Sequence, residues 1–308
     1  MKTYWAVLAL WCSLALAPTA WAAPVETVIQ VPGFADFLAI DGTAVWATNK
    51  GRVERWSRAG KLAEVPLDGA CGAMTISKGA LWIADCKAMT VNRIDTRANR
   101  IVAVIATGLA SPDGEMNVVS GAGSIWVASD KSGVIARIDP ANNKVIVSIK
   151  VEPGACYLAF GEGALWAVSA EKQTIQKIDP SSNLAVLTTK LGKAPGFLTV
   201  GEGGIWVQEQ GDGTLVRLDP ATGAVTGRVK IDETLKWGDI DTGGGKVWLR
   251  TTAGQTFVVL DPKSLAILAR VGNPEGSGAL RYTPEGIWTS AHDVHTLSWW
   301  ANPAAIGK

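Results

Sequence analysis

Long apolar runs, clustered charge and helical periodicity are all missing from most of this 308-residue chain. Beyond its first two dozen residues, no segment approaches the ~20 consecutive apolar residues that a membrane-spanning helix needs, which argues against a membrane-embedded protein. Lys and Arg number 29 against 28 Asp and Glu, and they are spread evenly. A surface that neutralises nucleic-acid phosphates needs clustered basic residues, so a nucleic-acid partner is not expected. No apolar pattern of period 3.6 is present, which excludes helical repeat arrays. Histidine is scarce, with two residues in all, His292 and His295.

What is present begins with an export signal. Lys2 supplies a positive start, Val7 to Ala17 an apolar run, and Ala20-Trp21-Ala22 a small-residue cleavage site. Residues 1 to 22 are read as a signal peptide and residues 23 to 308 as one domain, periplasmic or secreted. Removing the signal takes one Lys and no acid, so the formal charge of +1 falls to zero. An exported chain permits disulfides. If Ser77 to Ala80 form a tight hairpin, the same register sets Cys71 opposite Cys86, within bridging reach. Cys156 stays outside that pair and reads as a small buried hydrophobe.

The chain is organised by a repeat, clearest from Gly196 to Ile231. Four short runs rich in Val, Ile, Leu, Thr and Trp are separated there by Gly, Pro and Asp turn signals. Trp46, Trp82, Trp126, Trp166, Trp206, Trp248 and Trp288 mark seven such units, at intervals of 36, 44, 40, 40, 42 and 40 residues. A four-strand unit of this length is a β-propeller blade. The expected fold is all-β, a seven-bladed propeller with four antiparallel strands per blade. The last unit lacks a fourth strand, and Val28 to Gly33 resembles the fourth strand and exit at Ser148 to Gly154. The N-terminal strand is therefore expected to complete blade seven. The recurrent Trp is read as filler between sheets. The Asp-Pro pairs at Asp139, Asp179, Asp219 and Asp261 are read as turn residues.

Gly-Glu-Gly-Ala-Leu-Trp (161 to 166), followed by Lys-Ile-Asp-Pro (177 to 180), resembles the YncE-like or YVTN group of exported propellers. It is also similar to the streptogramin (virginiamycin B) lyase group. The resemblance implies the propeller fold. The lyase group carries a catalytic His early in a first strand and a Glu just after a blade Trp. Here the early first-strand positions hold Asp36, Gly72, Met116, Cys156, Gly196, Gly238 and Gly278, with no His among them. Glu209 is the one Glu three residues beyond a blade Trp, and both histidines lie beyond Trp288. The resemblance thus implies the shape without those catalytic residues. Some YncE-like proteins are associated with DNA, which the neutral, patch-free charge argues against.

In a propeller the loops before each first strand and after each second strand gather at one mouth of the central channel, a favoured place for ligands. Those positions hold Asp36, Glu115, Asn117, Tyr157, Glu209, Trp237, Asp239, Arg250, Arg281 and His292. Glu115 and Asn117 follow the one long insertion. His292, Asp293 and His295 make too few ligands for a metal site, so no metal or cofactor is expected. Without a recognisable nucleophile, base and metal set, the expectation is a binding or scaffold module, not an enzyme, whose mouth takes a small molecule, peptide or protein. The rival readings are a lyase or hydrolase built on Glu209, Asp239 and His292, and a DNA-binding propeller.

Overall fold

In the computed structural model the described residues are Met1, 25–109, 111, 115–128, 131–235, 238–251 and 254–308. The expected signal peptide falls outside them, Met1 apart. Among these residues the strands form seven sheets of four. Six of the sheets are meanders in chain order, as in blade five with Pro195–Gly201, Gly204–Glu209, Thr214–Leu218 and Val225–Lys230. First strands stand side by side around an axis, and the ring closes where Leu38–Asp41 meets Leu280–Thr283. The protein is a seven-bladed all-β propeller. Blade seven takes its outer strand from the opposite end of the chain: Glu26–Gln30 runs antiparallel to Thr296–Ala301, with Val28 opposite Ser298. No helix among the described residues is long and apolar enough to cross a membrane.

A single meander leaves both faces wet, so the core has to lie between sheets. The seven recurrent tryptophans, 0–1 % exposed, mark those interfaces. Trp126 of blade three packs with Leu158 and Leu165 of blade four. Trp166 packs with Leu198 and Ile205 of blade five, and Trp288 of blade seven with Leu38 and Val45 of blade one. In five of the seven the indole N–H donates within its own blade, for example Trp126 Nε1 to Gly121 O at 3.0 Å and Trp206 Nε1 to Gly201 O at 3.0 Å, whereas Trp166 Nε1 has no partner among the described residues. Close approach of neighbouring sheets explains two glycines at the ends of first strands. A Cβ on Gly121 would run into Phe160, and one on Gly161 into Val200, each from the next blade.

The Asp-Pro turns behave as their chemistry dictates. Asp179 accepts hydrogen bonds from Ser181 N at 2.9 Å and from the Ser181 and Ser182 hydroxyls, which hold its carboxyl down to about 2. One register departs from expectation. Cys71 lies opposite Ala84, not Cys86, because a bulge between Cys71 and Thr75, with Gly72 at φ +67°, shifts the first strand of blade two. The structure nonetheless joins Cys71 to Cys86 in a disulfide, with a Cα separation of 6.0 Å.

A chain beginning at Val31 rather than Val25 lacks the closing strand and leaves the outer edge of Thr296–Ala301 unpaired, with Gly286–Ala291 still on its inner edge. It should melt at least about 5 °C lower than the longer chain. An unchanged melting temperature would mean that the ring is held shut without that strand.

Candidate functional site

The mouth of the channel opens where several loops carry little side chain. Gly238 and Gly278 border it, and a Cβ on either would strike backbone, the Arg250 carbonyl in one case and the Ser290 carbonyl in the other. The space so left is a cavity of about 560 Å³. Aromatic rings form much of its wall. Tyr157 meets Phe197 edge-on with centroids 4.8 Å apart, Phe37 lies 6.1 Å from Phe197, and Phe34 stacks on His292 at 3.9 Å.

Carboxyls form the rest of the wall. Asp36 sits in the loop before the first strand of blade one, its backbone fixed by Asp36 N to Thr48 O at 3.0 Å and by the Ser290 hydroxyl donating to Asp36 O. Burial pushes its carboxyl up to about 8, helped by repulsion from Glu115, Asp239 and Asp293 and opposed by Arg250. Glu115 precedes the first strand of blade three. Burial, with repulsion from Asp239, pushes it up to about 7. Neither has an ion-pair partner among the described residues. Asp239 has one, Arg281 of blade seven. His292 Nδ1 stands 2.7 Å from Asp293 Oδ1, yet burial outweighs that carboxylate and lowers the ring below its ordinary value. At neutral pH His292 is therefore a neutral ring lying on Phe34.

Of the ten mouth positions expected from sequence, Asp36, Glu115, Tyr157, Asp239 and His292 border this cavity. Asn117 and Arg281 line a smaller space of about 230 Å³ just below it, which shares Phe197 and Asp239 with the mouth. Glu209 and Arg250 border neither. Glu209 is 1 % exposed and accepts hydrogen bonds from Gly192 N, Thr214 Oγ1 and Arg228 Nε at 2.7, 2.7 and 3.0 Å. Burial pushes its carboxyl up, but those donors outweigh it and the net displacement is downward. Arg250, also 1 % exposed, is spent on the carbonyls of Thr251, Thr256, Glu275, Gly276 and Ser290. The proposed trio of Glu209, Asp239 and His292 is thus not assembled around one space. Trp237 lies outside the described residues. Among the described residues no group of three or more His, Cys, Asp and Glu side chains is arranged to hold a metal ion.

Sequence reasoning passed over Phe34, Phe37 and Phe197, because apolar residues at blade starts read as core. A signal was present: the chain has only five phenylalanines, and three of them border this one cavity. Cys156 and Gln210 also border it.

While protonated, the two raised carboxyls stabilise the fold. Their contribution is complete below the ordinary values of 3.8 and 4.5 and is lost as pH rises through about 7 for Glu115 and about 8 for Asp36. Asp36→Asn should therefore match the parent protein's melting temperature at about pH 4 and exceed it by roughly 2 °C or more at about pH 9. A difference that does not change with pH would remove Asp36 as a titrating group of the mouth.

No protein-family model matches this chain, and no curated protein matches it. Solved structures do. A virginiamycin B lyase from Staphylococcus aureus superposes with a TM-score of 0.77 at 20% identity, over 91% of this chain and 99% of that one. A streptogramin B lyase structure gives 0.79 at 14% identity, over 92% and 99%. A chain of a mitotic checkpoint complex gives 0.76 at 16% identity, over 96% and 99%. At these identities the likeness shows the fold, a propeller of the streptogramin lyase-like shape. It also corrects the expectation that the chain is not an enzyme. Two of these look-alikes are lyases, so the absence of a catalytic set recognisable in sequence gives no ground for denying activity to a propeller of this build.

Proposed function

We propose that the channel mouth is a binding site for a small organic molecule with an aromatic or apolar body. The observation that carries this reading is the group of rings from Phe37, Tyr157 and Phe197 turned toward one cavity of about 560 Å³. That volume lies within the roughly 300–1,000 Å³ typical of small-molecule sites. Phe37 is buried, but Phe197 and Tyr157 are only half-buried and Phe34 is exposed, so a ligand that covers them removes further apolar area from water.

One observation favours a second reading, acid–base chemistry on the bound molecule. Glu115 at about 7 and Asp36 at about 8 lie at and just above neutral pH, so one carboxyl can deliver a proton while the other takes one. Carboxyls perturbed by burial and by each other are a common mark of catalytic sites. The acids of this reading are Asp36 and Glu115, since Glu209 is neutralised by Arg228.

We place the mature chain outside the cytoplasm. The support is the N-terminal segment with Lys2, the apolar run and the Ala20-Trp21-Ala22 site, together with a Cys71–Cys86 disulfide that needs an oxidising compartment.

A thermal-shift screen of the mature protein against neutral, cationic and anionic aromatic compounds tests the binding reading. Phe197→Ala should weaken any hit about tenfold or more, measured by calorimetry, since aromatic burial is worth 1–3 kcal/mol. A hit whose affinity is untouched by both Phe197→Ala and Tyr157→Ala would move the site elsewhere.

A further inference from the structure

The charge around the mouth is unbalanced in a way that its shape does not require. Four carboxyls border the cavity, Asp36, Glu115, Asp239 and Asp293, and among the described residues no Lys or Arg does. The two nearby guanidinium groups are committed, Arg281 to Asp239 and Arg250 to backbone carbonyls. His292 sits against Asp293. Asp36 and Glu115 are left over; the exposed Lys50 lines an adjoining space that both also border, but among the described residues it forms an ion pair with neither. Other semi-buried acids of the described residues have partners: Asp41 faces Arg55, Glu54 faces Arg52 and Glu209 faces Arg228, while Asp85 and Asp241 accept backbone N–H groups. The chain as a whole is close to neutral, so composition does not force two unmatched acids into one cavity. The rings of Phe37, Tyr157 and Phe197 border the same space.

A second feature lies directly below. Asn117 is 3 % exposed, its Nδ2 has no hydrogen-bond partner among the described residues, and it lines the space that continues the mouth past Phe197 and Asp239. A buried amide donor without an acceptor costs roughly 1–3 kcal/mol, so a water, or an oxygen on the body of an occupant and not its cationic nitrogen, would be stabilised at this position.

We propose that the mouth takes an organic cation, an amine or quaternary ammonium on an apolar or aromatic body, with its nitrogen at Asp36 and Glu115 and its body on the aromatic wall. This deepens the reading of the mouth as a binding site and rests on it. The physics is additive. A cation neutralises carboxyls that have been partly stripped of water, and the faces of aromatic rings attract it further. Without a cation, burial above all holds both carboxyls up, with repulsion from Glu115, Asp239 and Asp293 adding to it at Asp36 against the pull of Arg250, and repulsion from Asp239 adding to it at Glu115. A permanent cation favours their ionised forms. Binding therefore expels protons, and affinity rises as pH climbs through about 7 and about 8.

The test titrates the mature chain by calorimetry with two probes of the same shape, para-trimethylammonio-benzyl alcohol and its neutral counterpart para-tert-butylbenzyl alcohol. At about pH 8 the ammonium should bind at least about tenfold more tightly than the neutral probe, and at about pH 6 that preference should shrink. Its heat should change with the ionisation enthalpy of the buffer, reporting the expelled protons. Asp36→Asn combined with Glu115→Gln should abolish both the preference and the buffer dependence while the neutral probe binds as before, which also shows that the variant is folded. Equal affinity of the two probes, or a preference that survives the double substitution, overturns the cation inference and leaves the binding site standing. Failure of both probes to bind overturns the cation inference and counts against the aromatic mouth as a binding site as well.

Discussion

An indole pinned between two sheets, with a cationic side chain laid over it, holds this ring together. In blades one to five the residue opposite the Trp on the third strand is basic: Arg55, Arg93, Arg137, Lys177 and Arg217 face Trp46, Trp82, Trp126, Trp166 and Trp206. The charged groups lie 4.5–5.9 Å from the ring centroids. In four of the five the side chain then reaches on to a backbone carbonyl of the next blade's turn. Arg93 donates to Pro140 O at 3.0 Å, Arg137 to Pro180 O at 2.6 Å, Lys177 to Pro220 O at 2.8 Å, and Arg55 to Thr96 O at 3.1 Å. The Asp-Pro turn gains a second meaning from this. Its Asp sets the turn by accepting backbone N–H groups, and the rigid turn then presents the proline carbonyl to the neighbour.

Where that device lapses, the molecule stops being symmetric. Arg217 folds back to Gly203 O of its own blade, and opposite Trp248 and Trp288 stand Val259 and Trp299. Blades six and seven are joined instead by Arg250, one buried guanidinium that satisfies five carbonyls, and by the Asp239 to Arg281 pair. These substitute contacts lie toward the mouth. Local rules are broken there: acids stay unmatched, glycines replace side chains, and a buried arginine serves backbone. Departures of this kind gather at functional sites, because the repeat elsewhere supplies stability enough to tolerate them.

The fold was legible in sequence because its signals are redundant. Any one Trp is weak evidence, but an indole every forty or so residues behind a Gly-bearing turn and ahead of Asp-Pro admits few architectures. The register at Cys71 was not legible, since a bulge is set by the local fit around Gly72 and Met116 and leaves no periodic trace. The site was half legible. Topology alone carried Asp36, Glu115, Tyr157, Asp239 and His292 to the mouth. Topology could not tell that Glu209 is claimed by Arg228, two strands away, or Arg250 by carbonyls 25 to 40 residues further on. A polar residue at the right loop becomes a site residue only if no partner reaches it first, and partners are a property of the folded chain. The phenylalanines were missed for the converse reason. Burial of an apolar residue is the default assumption, and only their scarcity elsewhere in the sequence hinted otherwise.

Closing the ring and building the mouth are the same event. The segment that follows the closing strand is held by Val31 N donating to His295 O at 2.8 Å and by the contact of His295 Nδ1 with Gly33 O. Next to Gly33, Phe34 lies on His292, and the Ser290 hydroxyl holds the Asp36 carbonyl. Blade seven therefore fixes both the strand that seals the circle and the ring and carboxyl that enter the cavity beside it. The raised Asp36 carboxyl opposes this seam as it ionises, while the apolar packing of Val31, Leu38 and Trp288 favours it. The balance between them ties the stability of the closed ring to whatever neutralises that carboxyl, a proton at low pH or a bound cation above it.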